Sequence, residues 1–201
     1  MKEMTNGQTG RIAKKSRKTT ETDINIFLNL DGTGQSECLS GSGFFDHMLT
    51  SFAKHGKFDL NLVCKGDMAV DAHHSIEDIG IVLGQAFAEC LGDKAGICRF
   101  GNAFVPMDET LVQAVVDLSG RPYLYFNARY DSPKVGDFET EIAKEFFLAF
   151  AMNAKITLHI NLCYGENTHH ILEAMFKSTA RALKEAVKIE GGGVPSTKGC
   201  L

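Results

Sequence analysis

Two segments of the chain, Asp71-Ala-His-His-Ser-Ile-Glu77 and Asn167-Thr-His-His-Ile-Leu-Glu173, repeat the pattern His-His-x-x-Glu. Both open Pro-free stretches of helical periodicity. On a helix, His73 and Glu77 share a face, as do His169 and Glu173. His74 and His170 point about 100° away. Each box therefore offers a nitrogen and a carboxylate oxygen in one direction and a second imidazole in another. A single box is also satisfied as a helix start with exposed histidines and a capping glutamate. Twofold occurrence points instead to metal binding, and imidazoles kept neutral by a metal suit the positive end of a helix better than imidazolium does. Imidazole and carboxylate without thiolate favour six-coordinate Mn2+ or a relative, with zinc as the alternative. Asp71 is placed to orient an imidazole N–H; Asp78 reads equally as a solvated carboxylate.

An internal repeat supplies further ligands. His47 to Leu62 aligns without a gap on Glu145 to Ile160, matching Phe52-Ala53 with Phe150-Ala151, Lys57 with Lys155 and Leu60 with Leu158. A two-residue adjustment in the next loop superimposes the two boxes. His47 and Glu145 then hold equivalent positions one helix before each box, so each metal would take one ligand from that earlier helix. His159 aligns with Asn61 and reads as an outward strand residue, and His55 as a helix C-terminal one. Four basic groups form a second set. Lys177 lies one turn beyond Glu173. Arg99 and Arg121 sit in Gly-punctuated loops, and the tail Pro195-Ser-Thr-Lys198 adds Ser196 and Lys198. Planar guanidinium forks, an ammonium and backbone N–H groups beside a metal centre suit a small phosphorylated substrate.

The elements that must position these groups follow from periodicity. In the first unit, Asp23–Leu30 and Ser36–Gly43 read as strands, Asp46–Lys54 as a short helix, Lys57–Cys64 as a strand and Ser75–Leu91 as a long helix. In the second, Leu111–Leu118 and Tyr123–Ala128 are strands, Phe138–Asn153 a helix, Lys155–Cys163 a strand and His169–Ile189 a helix. The order is ββαβα twice, an α+β chain with antiparallel-rich sheets and helices on one face, with repeats at about 20–95 and 103–190. Residues 1–16 read as a disordered polar leader and 17–201 as one domain. A net charge of −4 over 201 residues gives no general attraction to nucleic acid or to an anionic membrane. Six scattered cysteines lack metal or disulfide spacing and read as reduced thiols. No apolar run approaches a membrane span, and the start lacks the apolar core of a secretion signal, so the expected location is the cytoplasm.

Phe45-Asp-His-Met-Leu49, the two boxes with their flanks through Asp78 and Lys177, and Pro195-Ser-Thr-Lys-Gly199 closely resemble imidazoleglycerol-phosphate dehydratase of histidine biosynthesis. Arg17-Lys-Thr-Thr-Glu-Thr22 is similar to that family's first strand entry, and the likeness runs from 17 to 201. It implies a duplicated fold like ribosomal protein S5 domain 2 and a large homo-oligomer with two Mn2+ per active site at subunit interfaces. The implied metal ligands are His47, His73, His74, Glu77, Glu145, His169, His170 and Glu173. At Glu145 many members carry histidine. The implied reaction removes water from imidazole glycerol phosphate, leaving imidazole acetol phosphate. The hydrogen to be removed has no adjacent carbonyl, so metals must activate the imidazole ring to expel the hydroxyl. A carboxylate then takes the neighbouring proton, and Glu21, Glu77 and Glu173 are the candidates. Arg99, Arg121, Lys177, Ser196 and Lys198 are expected around the phosphate. The rivals are a two-metal phosphate-ester hydrolase and a non-catalytic, metal-stabilised assembly.

Overall fold

A computed structural model of the chain describes residues 10–67 and 70–201. Its strands follow alternation. In β2 (Thr22–Asn29) Ile24, Ile26 and Leu28 are buried, and in β4 (Asp59–Gly66) Leu60, Leu62 and Cys64 are. These pack inward while the intervening residues face out. The first unit holds β1 (Ile12–Lys18), β2, β3 (Ser36–Leu39), α1 (Gly43–Gly56), β4 and α2 (His73–Leu91). The second holds β5 (Phe100–Met107), β6 (Thr110–Asp117), β7 (Tyr123–Asn127), a small hairpin β8 (Lys134–Val135) and β9 (Phe138–Glu139), α3 (Ile142–Ala154), β10 (Thr157–Tyr164) and α4 (Thr168–Ala186).

The sheets have the same topology, β1-β2-β4-β3 and β5-β6-β10-β7. In each, only the last pair is parallel, β3 with β4 and β7 with β10. The ββαβα order appears in both units, each time preceded by one more strand. β1 corrects the expected leader, since residues 12–16 pair along β2; residues 1–9 lie outside the described residues. Lys14, Lys15, Ser16, Arg17 and Lys18 make β1 look like a polar arm, but an edge strand needs an apolar residue only where it meets the core, here Ala13. The second helix also starts later than Phe138, because Phe138 and Glu139 pair with β8.

Helices cover one face of each sheet and meet across the units. α2 lies on β1 and β2, and α4 on β5 and β6; α2 pairs with α3, and α1 with α4. The core is aromatic, with Phe45, Phe146, Phe147, Phe150 and Phe176 fully buried and in ring contact. Gly80 and Gly84 form the α2 face against α3, where a Cβ on Gly84 would stand 2.6 Å from the Phe150 carbonyl oxygen. The repeated Lys57 and Lys155 have a structural reason. Both are left-handed residues that close α1 and α3, donating N–H to Ala53 O and Ala151 O. The six cysteines are free, and burial pushes the Cys38 and Cys90 thiols up to about 12. Among the described residues no helix is long and apolar enough to cross a membrane.

Candidate metal centre

α1 and α4 cross so that His47, from the first unit, meets His169 and Glu173 of the second. One ligand atom from each lies within 4.8 Å of the others. The Glu173 carboxylate stands 3.1 Å from His169 Nε2 and 3.6 Å from His47 Nε2. Capping fixes both helix starts. Asn167 Oδ1 accepts from the backbone N–H of His169 and His170. Ser42 accepts from the Phe45 N–H, while Asp137, from the hairpin loop of the other unit, accepts from Ser42 Oγ and from Gly43 and Phe44 N–H. Phe44, on that first turn, sets its ring edge-on to His169 at 5.2 Å.

Glu173 is buried and pairs with Lys177 at 2.6 Å. Burial opposes its ionisation, but the Lys177 ammonium and the hydrogen bond from His169 outweigh it and hold the carboxyl below its ordinary value. Two imidazoles and a carboxylate held ionised fit a hard or borderline divalent cation. Ligands about 2.1 Å from an octahedral ion stand about 3 Å apart, near the spacing of Glu173 with its histidines.

The first box is looser. His73 Nε2 is 3.6 Å from Glu77, and His74 Nδ1 is 3.0 Å from Asp67 and 3.8 Å from Glu21. Glu145 is half-buried on α3, and among the described residues it forms no hydrogen bond or ion pair with this box. No hydrogen bond, ion pair or ring contact joins the two boxes among the described residues. Two expectations are corrected here. Asp71 accepts from the His73 backbone N–H rather than from an imidazole, because it lies two residues before His73, just outside the helix start, where that N–H has no partner within the helix. Asp78 is not solvated: it pairs with Arg17 and accepts from Thr22 Oγ1 at 2.6 Å, locking the β1–β2 turn to α2.

The basic set divides. Lys177 belongs to the His47 cluster and touches Met107 at the end of β5. Arg99 lies before the other end of β5, roughly 20 Å away along an eight-residue strand. Its φ is 73°, and its guanidinium holds Asp117 through Nε (2.7 Å) and Nη2 (3.1 Å) and Pro195 O through Nη1 (2.8 Å). Arg121 leans on the same Asp117, and the tail with Ser196 and exposed Lys198 is anchored there by Arg99. His159 faces outward, stacked on Tyr125, and His55 lies in the last turn of α1. Sequence reasoning missed Asp67, Glu109, Asp117 and Asp137. One signal was available, because Glu109-Thr110 repeats Glu21-Thr22 at the start of the equivalent strand.

Fold and cluster together define a duplicated α+β protein with a histidine–carboxylate ligand set shared between its units. Residues 40–183 match the family model of imidazoleglycerol-phosphate dehydratase. The chain is 57% identical over 188 residues to the imidazoleglycerol-phosphate dehydratase of Acetivibrio thermocellus, covering 92% of this chain and 96% of that one. With the namesake protein of Methanosarcina mazei it shares 56% over 191 residues, 95% and 100% of the two chains. The crystal structure of the Staphylococcus aureus dehydratase is similar with a TM-score of 0.81 at 46% identity, over 89% of this chain and 99% of that one. A Pyrococcus furiosus structure, in complex with (S)-C348, gives 0.81 at 40% identity, over 93% and 100%. The chain belongs to the imidazoleglycerol-phosphate dehydratase family, and it is an enzyme.

Proposed function

We propose that the chain dehydrates imidazole glycerol phosphate to imidazole acetol phosphate, a step of histidine biosynthesis in the cytoplasm, at a site holding two Mn2+. The observation that carries this reading is the convergence of His47, His169 and Glu173 from two units on one point. His170, His73, His74, Glu77 and Glu145 complete the ligand set by the repeat. When bound, the metals supply Lewis acidity to the substrate's imidazole ring.

The chain's own groups divide the remaining work. Glu173 is committed to two histidines and Lys177, so its part is to hold charge at the centre. Glu77 faces His73. Glu21 is exposed on the β1–β2 turn, 3.8 Å from His74, and among the described residues its side chain makes no hydrogen bond. It is the carboxylate with most freedom to take the proton from carbon, with Glu77 and Glu173 as the other carriers. Arg99, Arg121, Ser196 and Lys198 bind the phosphate, with Arg99 and Arg121 already aligned by Asp117, and Lys177 adds its charge beside the metal centre.

Because roughly 20 Å of strand separates the Arg99 group from His169 and Lys177, one chain does not close a site around a small substrate. A second copy must bring one set to the other, in a homo-oligomer with sites at its interfaces. Exposed Phe104, Val115, Tyr125, Leu39 and Val63 on the outer sheet faces support such assembly. The test is incubation of metal-stripped and Mn2+-reconstituted protein with imidazole glycerol phosphate, following the ketone. Metal-dependent ketone formation is expected. Release of inorganic phosphate without ketone, or no metal-dependent product, overturns the reading.

A further inference from the structure

The turn of each leading hairpin delivers a Glu-Thr pair to the start of the next strand, Glu21-Thr22 into β2 and Glu109-Thr110 into β6. Each glutamate faces the second histidine of the box in its own unit, Glu21 facing His74 and Glu109 facing His170. The two copies have diverged in what they do there. In the first unit the six-residue connection 67–72 supplies Asp67, whose carboxylate takes His74 Nδ1 at 3.0 Å and leaves Glu21 at 3.8 Å. In the second unit the residue that follows the strand in the place of Asp67 is Gly165, which has no carboxylate and where a Cβ would stand 2.4 Å from Thr110 Oγ1. Glu109 fills that place. Its Oε2 lies 2.8 Å from His170 Nδ1, while Oε1 accepts from the backbone N–H of Asn167 (2.9 Å) and Glu166 (3.3 Å) and from Thr110 Oγ1 (2.8 Å).

With Oε1 already accepting from three donors, Oε2 accepts across the 2.8 Å contact, so that hydrogen sits on His170 Nδ1, and in the neutral ring Nε2 keeps its lone pair. Asn167 is also the cap of α4, so one carboxylate fixes both where the helix starts and how the ring on it is turned. His170 Nε2 looks towards exposed Asp108, 3.7 Å away on the same turn.

We infer that Glu109 is a positioning residue: it locks His170 as the Nδ1-protonated tautomer with Nε2 presented to a metal, as Asp67 does for His74, and thereby leaves only Glu21 of the hairpin pair free for substrate. The inference rests on the metal reading above. Its decisive readout needs no metal, so failure of one is separable from failure of the other. Metal-free protein carrying ring-15N histidine is compared as wild type, Glu109→Gln and Glu21→Gln, with His170 assigned by its loss in His170→Gln. Wild type and Glu21→Gln should show His170 protonated on Nδ1. Glu109→Gln should lose that preference, because an amide both donates and accepts, while its carbonyl can still hold the Asn167 N–H and keep α4 folded by circular dichroism. In Mn2+ titrations Glu109→Gln should weaken one of two ions by about 10–100-fold, whereas Glu21→Gln should lower turnover with Mn2+ affinity kept. An unchanged His170 tautomer in folded Glu109→Gln overturns the assignment. Wild type that binds no Mn2+ overturns the metal reading, with the tautomer result still deciding this one.

Discussion

Replacing Gly84 with alanine tests how the two units are joined. Gly84 and Gly80 lie one turn apart on α2 and let α3 approach almost backbone to backbone. A Cβ on Gly84 would sit 2.6 Å from Phe150 O, 2.8 Å from Asn153 Cβ and 2.9 Å from Ala154 N. None of these is the far end of a flexible side chain, so α3 itself must move by roughly half an ångström or more to restore contact distances. Overpacking of this kind costs about 1–3 kcal/mol. Alanine returns about 1 kcal/mol through its better helix propensity. The net expectation is a loss of up to about 2 kcal/mol, a fall in Tm of up to about 8 °C for a chain of this size. Gly43→Ala is the control, since a Cβ there meets nothing within 4 Å; it should leave Tm unchanged or slightly raised. Gly80→Ala, with its Cβ 2.7 Å from Phe146 O and 2.9 Å from Ala149 Cβ, should behave like Gly84→Ala. A single retreat of α3 relieves both clashes, so the double variant should lose less than the sum of the two. Thermal unfolding followed by circular dichroism reads the wild type and the four variants under identical metal and protein concentrations. A Gly84→Ala protein as stable as Gly43→Ala, or a fully additive double variant, would refute the reasoning.

Two further outcomes follow from the site. Glu173→Gln leaves Lys177 without its ionised partner in a mostly buried setting, and should lower stability at neutral pH by about 2 kcal/mol and weaken Mn2+ binding. The folded carboxyl is held below the unfolded value of about 4.3. Its stabilisation is therefore present above that value and lost as pH falls through the folded one, so wild type should lose more stability than the variant between neutral pH and pH 3 in chemical denaturation. Equal acid sensitivity counts against the pair. Asp137→Ala removes a carboxylate that caps α1 from the other unit, and should lower Tm by an amount corresponding to about 1 kcal/mol. Mn2+ affinity should drop with it, since the capped turn carries Phe44 against His169 and leads to His47; unchanged affinity would separate the cap from the centre.

Much of this architecture is legible along the chain because it is written in local periodicity. Alternation in Ile24, Ile26 and Leu28 marks β2, and the long apolar stripes mark α2 and α4. The His-His-x-x-Glu boxes and the match of His47 with Glu145 come from duplication, which a linear comparison detects. β1 escaped that reading because an edge strand has one apolar residue where it touches the core, and the β8–β9 hairpin because two-residue strands have no period. Asp78 looked solvated for the same reason Asp117 and Asp137 went unnoticed. A carboxylate's partner lies 56 to 95 residues away for Asp78 and Asp137, and 18 away for Asp117.

By itself the sequence determined the chemistry available: paired imidazoles and carboxylates at helical spacing, a set of basic groups, and two related units to carry them. Tertiary structure decided which of those groups meet. The α1–α4 crossing brings His47 to His169 and Glu173, while the length of β5 keeps Arg99 apart from Lys177. Spacing along a helix fixes direction within one element, but distance between elements is set by how their faces pack. Glu21 and Glu109 show the difference most directly: identical in type and repeat position, they are separated in role by whether the residue that follows the neighbouring strand is an aspartate, Asp67, or a glycine, Gly165.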